Sequence, residues 1–157
     1  MKITLLSIGK TEDAYIKTGM DKYLKRLKYY VKLEVTELPE LKNTKALTQE
    51  QQKTKEAEVL FKRIAPTDFV ILLDEKGTEL SSGQFAAYLD KKAIASTPNL
   101  LFIIGGPYGF DPSVYQRAND KLSLSRMTFS HQMVRLFFVE QLYRAHTIIK
   151  GEPYHHE

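Results

Sequence analysis

The stretch Leu100-Leu101-Phe102-Ile103-Ile104-Gly105-Gly106-Pro107-Tyr108-Gly109 decides the fold. Its first five residues are apolar without a break, the pattern of a strand buried on both faces, and they run straight into glycines and a proline. Upstream, Phe69-Val70-Ile71-Leu72-Leu73 repeats the pattern and ends in Asp74-Glu75-Lys76-Gly77. Strands of this kind belong to parallel sheets covered by helices on each side. Outward from them, alternation predicts strands over 3–8 and 31–38. Helical spacing of Tyr15, Ile16, Met20, Tyr23, Leu24 and Leu27 predicts a helix over 12–30. Thr48 with Gln51 and Ser81 with Gln84 have capping-box spacing and open helices over 48–64 and 81–95. A last helix covers 132–149. The order β-α-β-α-β-α-β, then a short region and a helix, predicts one α/β domain over 1–157, with a largely parallel sheet and helices on both faces. Ligands of such sheets bind at the carboxyl edge, so the loops after Leu73 and Ile104 are where chemistry is expected.

Composition narrows the chemistry. With 157 residues, 43% of them hydrophobic, the chain can bury a proper core. No apolar run approaches the roughly 20 residues of a membrane span, and the N-terminus is too short and too soon interrupted for a secretion signal. The absence of cysteine excludes disulfides, thiolate nucleophiles and thiolate metal sites, and fits a cytoplasmic protein. Of the four histidines only His155 and His156 are adjacent, so no metal site is expected. The net charge of +4 is uneven. Residues 10–32 carry seven Lys or Arg against three acids and residues 117–150 six against two, while 33–116 carries nine against twelve. Basic ends around an acidic middle suit an anionic partner such as nucleic acid, or equally a merely soluble surface.

Four segments carry possible chemistry, each with a plain structural alternative. Gly105 to Gly109 lets backbone approach a ligand or simply turns the chain; it is neither a dinucleotide fingerprint nor a phosphate loop. Leu122-Ser123-Leu124-Ser125-Arg126-Met127-Thr128-Phe129 is either an adenine-covering loop or an ordinary β-edge segment. The final helix is apolar on more than one stripe, through Met133, Leu136, Phe137, Leu142, Ala145, Ile148 and Ile149 with Val134, Phe138 and Val139 beside them. That excess predicts a second packing partner, most simply the same helix of another subunit. Against this background Glu140 and Arg144 have the spacing of a helical ion pair, and Arg135 stands apart. The tail Gly151-Glu152-Pro153-Tyr154-His155-His156-Glu157 is either frayed or a place where Tyr stacks on a base and His takes its proton.

Jointly, Ile104-Gly105-Gly106, Leu122-Ser123-Leu124-Ser125, His131-Gln132-Met133-Val134-Arg135, Glu140-Gln141-Leu142-Tyr143-Arg144-Ala145 and Pro153-Tyr154-His155 resemble the bacterial large-subunit rRNA pseudouridine N3-methyltransferases, a branch of the SPOUT methyltransferases. The resemblance spans essentially the whole chain. It implies a C-terminal trefoil knot, a rare exception to the rule that chains avoid knots. It implies S-adenosylmethionine bound by Leu73, Gly105, Leu124, Ser125, Arg126, Met127, Thr128 and Phe129. It also implies a homodimer in which one subunit's tail completes the site of the other, and a pseudouridine of 23S rRNA in the 70S ribosome as substrate. The expected roles are His155 as base or proton relay, Tyr154 against the nucleobase, Arg144 on phosphate or developing charge, and Glu140 orienting Arg144. Arg135 and His131 are expected at the RNA, His131 alternatively ordering the cofactor loop. One departure is His156, where a basic residue often follows the Tyr-His pair. Two other readings stay open: a SPOUT enzyme acting on tRNA, and a non-catalytic ribosome-binding factor of the same fold. A flavodoxin-like module fits less well, since Gly9-Lys10-Thr11-Glu12 is too short for a phosphate loop.

Overall fold

A computed structural model describes residues 1–156; Glu157, the end of the quoted tail, lies outside the described residues. The elements run β1 (Lys2–Ile8), α1 (Ala14–Leu27), β2 (Lys32–Leu38), a 3-10 turn (Thr44–Ala46), α2 (Gln49–Phe61), β3 (Phe69–Glu79), α3 (Ser82–Ile94), β4 (Asn99–Ile104), α4 (Pro112–Arg117), β5 (Asp120–Ser123) and α5 (His131–Ile149). The five strands form one sheet in the order β2-β1-β4-β3-β5, and all its pairings are parallel.

The expected architecture is therefore the one observed. Both capping boxes form as read. Thr48 and Ser81 each accept from the backbone N–H of the residue three ahead, and Gln51 and Gln84 each accept from the cap's own N–H. The two apolar strands are central, and their alternate residues feed two cores. Leu100, Phe102 and Ile104 of β4 join Ile16, Met20, Phe85, Phe138 and Leu142 from α1, α3 and α5. Leu101 and Ile103 face the other way, onto Leu60 of α2 and Val114 of α4. Phe102 and Phe138 pack with ring centroids 4.7 Å apart.

The short region between β4 and the last helix contains two elements that periodicity did not predict, α4 and β5. Strand β3 is also longer than its apolar run. Its pairing with β5 shifts register between Leu73 and Thr78. Gly77 sits inside that irregularity, where a Cβ would lie 2.7 Å from the Lys121 backbone, so β5 can approach only a glycine there. Helix α5 packs against both α1 and α3. Phe138, Val139, Leu142 and Ala145 are buried within the chain, leaving Phe137 and Ile149 as its exposed apolar residues. The chain thus absorbs most of the excess hydrophobicity of this helix. Among the described residues no helix is long and apolar enough to cross a membrane.

Candidate functional site

A cavity of about 400 Å³ opens at the carboxyl edge of the sheet, beyond the ends of β4 and β5 and beside the polar extension of β3. Three chain segments wall it: residues 73–76 of β3, the loop 105–110, and the loop 124–129 that leaves β5. Leu73, Gly105, Leu124, Ser125, Met127, Thr128 and Phe129 all line it. Arg126 does not. Its side chain is exposed and its Nε donates to Glu79 Oε1 at 2.7 Å. His131 lines the cavity as the first residue of α5, which favours the loop-ordering alternative over a position among RNA contacts.

The loops are held by their own polar atoms. Ser123 Oγ donates to the Ser125 carbonyl at 2.9 Å, and Ser125 Oγ accepts from the Met127 amide at 2.9 Å. Thr128 Oγ1 donates to Glu75 Oε2 at 2.7 Å, tying the 124–129 loop to the strand opposite. Phe129 stacks on Phe137 of α5, with centroids 4.8 Å apart. On the far wall Gly106 passes against the buried Glu56 carboxylate, where any Cβ would collide. Burial pushes the Glu56 carboxyl up. Tyr115 of α4 also lines the cavity and donates to Asp74 Oδ2; burial first, then Asp74, pushes its hydroxyl up to about 12. Tyr115 was not anticipated, because α4 was not. The signal was present in Asp111-Pro112, since Asp111 caps α4 by accepting from Ser113 N and Pro112 opens it.

A second cluster gathers the tail. Glu140 Oε1 accepts from Arg144 Nη2 at 2.7 Å and from the Tyr154 hydroxyl at 2.9 Å. Arg144 Nη1 lies 3.1 Å from His155 Nδ1, and the guanidinium sits over the Tyr154 ring, 4.7 Å from its centroid. A guanidinium has only donors, so Nδ1 is the acceptor and the neutral ring carries its proton on Nε2. Burial, with hydrogen bonds to Tyr23 and Glu140, pushes the Tyr154 hydroxyl up. The tail is docked, not frayed: Glu152 N donates to the Thr147 carbonyl at 2.9 Å, and the Tyr30 hydroxyl donates to Glu152 at 2.5 Å. The four residues expected to act together do come together, yet none of them lines the cavity.

Arg135 is in neither place. It is 2% exposed, and its guanidinium donates to the carbonyls of His131 and Ile8 and to Thr11 and Glu37. Burial alone would raise the Glu37 carboxyl, but Thr11 and Arg135 hold it below the usual range. A side chain so enclosed does not offer itself to phosphate.

Comparisons with known proteins agree with this geometry. A family model described as "Predicted SPOUT methyltransferase" matches residues 1–155. The protein named "Ribosomal RNA large subunit methyltransferase H" from Cytophaga hutchinsonii is 56% identical over 156 residues, which cover 99% of this chain and all of that one. Proteins of the same name from Parabacteroides distasonis and Flavobacterium psychrophilum are 51% and 52% identical, covering both chains in full. A match from end to end, on a parallel sheet whose carboxyl edge holds the cavity, means that the chain belongs to the SPOUT methyltransferase family.

Proposed function

We propose that this protein transfers a methyl group from S-adenosylmethionine to N3 of a pseudouridine in 23S rRNA, on the assembled 70S ribosome in the cytoplasm. It would act as one domain and as a homodimer, its C-terminal segment threaded as the trefoil knot of its family. The observation that carries the substrate reading is the full-length identity with relatives named as large-subunit rRNA methyltransferases.

The cavity suits the donor. Its volume falls in the range of small-molecule sites, roughly 300–1,000 Å³. Leu73, Leu124, Phe129 and Val134 offer apolar faces for an adenine, and the loops offer backbone groups for its polar edge. Bound there, S-adenosylmethionine supplies an electrophilic methyl for in-line displacement, so positioning accounts for much of the rate.

The tail cluster suits the acceptor. A uracil-type N3–H is too weak an acid to ionise unaided at neutral pH, so a base must take its proton. His155 Nδ1 is that base once Arg144 releases it. Arg144 then turns to the carbonyl oxygen or phosphate where negative charge gathers, Glu140 keeps the guanidinium aimed, and Tyr154 packs on the base ring. That the cluster lies outside the cavity of its own chain supports the dimer reading, in which the tail of one subunit serves the cavity of the other. The pairing of a modest charge of +4 with a ribosomal substrate fits recognition of a preassembled surface over capture of free RNA.

The deciding experiment is transfer of labelled methyl from S-adenosylmethionine to ribosomes lacking the modification, with 70S particles, free 50S subunits and naked 23S rRNA compared. Label at a 23S pseudouridine, chiefly in 70S, is the expected result. Label only on tRNA or naked RNA would move the substrate class, and bound donor with no transfer anywhere would leave a ribosome-binding factor.

A further inference from the structure

We infer that Arg135 is a positioning residue for the methyl-donor loop, acting through the first turn of α5. The inference rests on the proposed donor site and concerns how that site is held.

The loop 124–129 has two ends. One is fixed by β5 within the sheet. The other runs through Ser130 into α5, where Ser130 caps the helix by accepting from Met133 N at 3.1 Å, and where His131 and Val134 of the first turn line the cavity. What places that turn is a network reaching across the sheet. Arg135 Nε donates to the His131 carbonyl at 3.0 Å, so the guanidinium holds the turn that precedes it. Nη1 donates to Thr11 Oγ1 at 3.0 Å and to Glu37 Oε2 at 3.1 Å, and Nη2 to the Ile8 carbonyl at 3.3 Å. Glu37 Oε2 also accepts from the backbone and the hydroxyl of Thr11, at 2.7 and 2.5 Å. The neighbouring Gln132 repeats the tie: Oε1 accepts from Glu12 N at 2.7 Å and Nε2 donates to the Lys10 carbonyl at 3.1 Å. The start of α5 is thus bolted to the ends of β1 and β2, on the opposite side of the sheet edge from the loop it supports. Arg135 does not line the donor cavity, so any effect it has on the donor passes through His131, Val134 and the loop. The planar fork is what the geometry uses, since it reaches carbonyl, hydroxyl and carboxylate at once, and an ammonium cannot reproduce it.

The test is calorimetric titration of S-adenosylmethionine and S-adenosylhomocysteine into the full-length protein and into Arg135→Met, Arg135→Lys and Glu37→Gln. Measurements are made well below each melting temperature, with folding checked by circular dichroism. We expect Arg135→Met to raise Kd roughly tenfold or more, the size of effect of losing hydrogen bonds made by a charged group. Arg135→Lys and Glu37→Gln should fall between it and the wild type. The double variant Arg135→Met/Glu37→Gln should bind no worse than Arg135→Met, because both changes break one network. Faster amide hydrogen exchange over 130–135 in Arg135→Lys should accompany the loss. A residue that only stabilises the fold would lower the melting temperature and leave Kd unchanged. Wild-type Kd in folded Arg135→Lys and Glu37→Gln therefore overturns the inference, whether or not Arg135→Met folds. Unchanged Kd with weakened ribosome binding would overturn it in favour of a phosphate contact. No binding of either ligand by the wild type overturns the donor site itself, a result visible before any variant is compared.

Discussion

At the scale of single residues, the tail histidine shows how one contact limits a role. With Arg144 at its Nδ1, His155 has the lone pair a base needs turned toward a cation. In the proposed mechanism, substrate draws Arg144 away before His155 takes the proton. Replacing His155 by Ala should then lower turnover by about 10²–10⁴-fold, the usual size of general-base catalysis, with little change in donor affinity. Single-turnover methyl transfer beside titration calorimetry checks this, and unchanged turnover would remove the catalytic role. A different histidine contributes to acid stability. Burial, and secondarily Lys150, pushes His146 down to about 4, and its Nε2 has no hydrogen-bond partner among the described residues. The folded state keeps this ring neutral while the unfolded chain protonates it near 6.5. Between pH 6.5 and about 4 the unfolded state binds more protons, so stability falls as the pH falls through this window. The full contribution is on the order of 3 kcal/mol. Urea unfolding at several pH values should show a flatter acid limb in His146→Phe, and an unchanged slope would assign acid sensitivity elsewhere.

At the scale of elements, local signals are legible wherever the residues that define an element also hold it. Both capping boxes are local devices, and both formed as spaced. Thr48→Ala should cost about 1 kcal/mol of stability by removing the acceptor for Gln51 N, as measured by denaturant unfolding. In α5, Leu142 is wholly buried between the sheet and its flanking helices, so Leu142→Ala should cost roughly 2–5 kcal/mol. A cost below 1 kcal/mol would mean that the core collapses onto the gap. Elements whose definition is non-local leave no such signal. β5 is four residues long and exists because it pairs with β3. The extension of β3 past Leu73 is polar and is a strand for the same reason. Helix α4 is too short for periodicity to show, although its Asp-Pro start was legible.

At the scale of the whole molecule, the separation of cavity and tail cluster makes the dimer testable by complementation. A variant with a damaged cavity, Gly106→Val, and one with a damaged tail, His155→Ala, should each be nearly inactive as homodimers. Mixed and allowed to exchange subunits, they should recover about a quarter of wild-type activity, since half of the dimers are mixed and each mixed dimer holds one intact composite site. No recovery despite proven exchange would place cavity and tail function within one chain. The exposed Phe137 of α5 stacks on Phe129, which lines the cavity.

What the sequence alone determined was the alternation of strands and helices, the two buried strands, the caps and the identity of the loops at the sheet edge. These follow from which residues are apolar and from spacings within one turn or one strand, so they are written where they act. Only the tertiary structure decided that Arg135 is buried in an internal network, that Arg126 faces solvent, and that His131 and Tyr115 line the cavity at the sheet edge. Arg135 meets Thr11 across 124 positions and Glu37 across 98, and Tyr115 meets Asp74 across 41. An arginine on an apolar helix has the same local pattern whether it awaits a phosphate or is already neutralised by a distant carboxylate. The difference is made by burial, and burial is settled by the packing of elements that lie far apart in the chain.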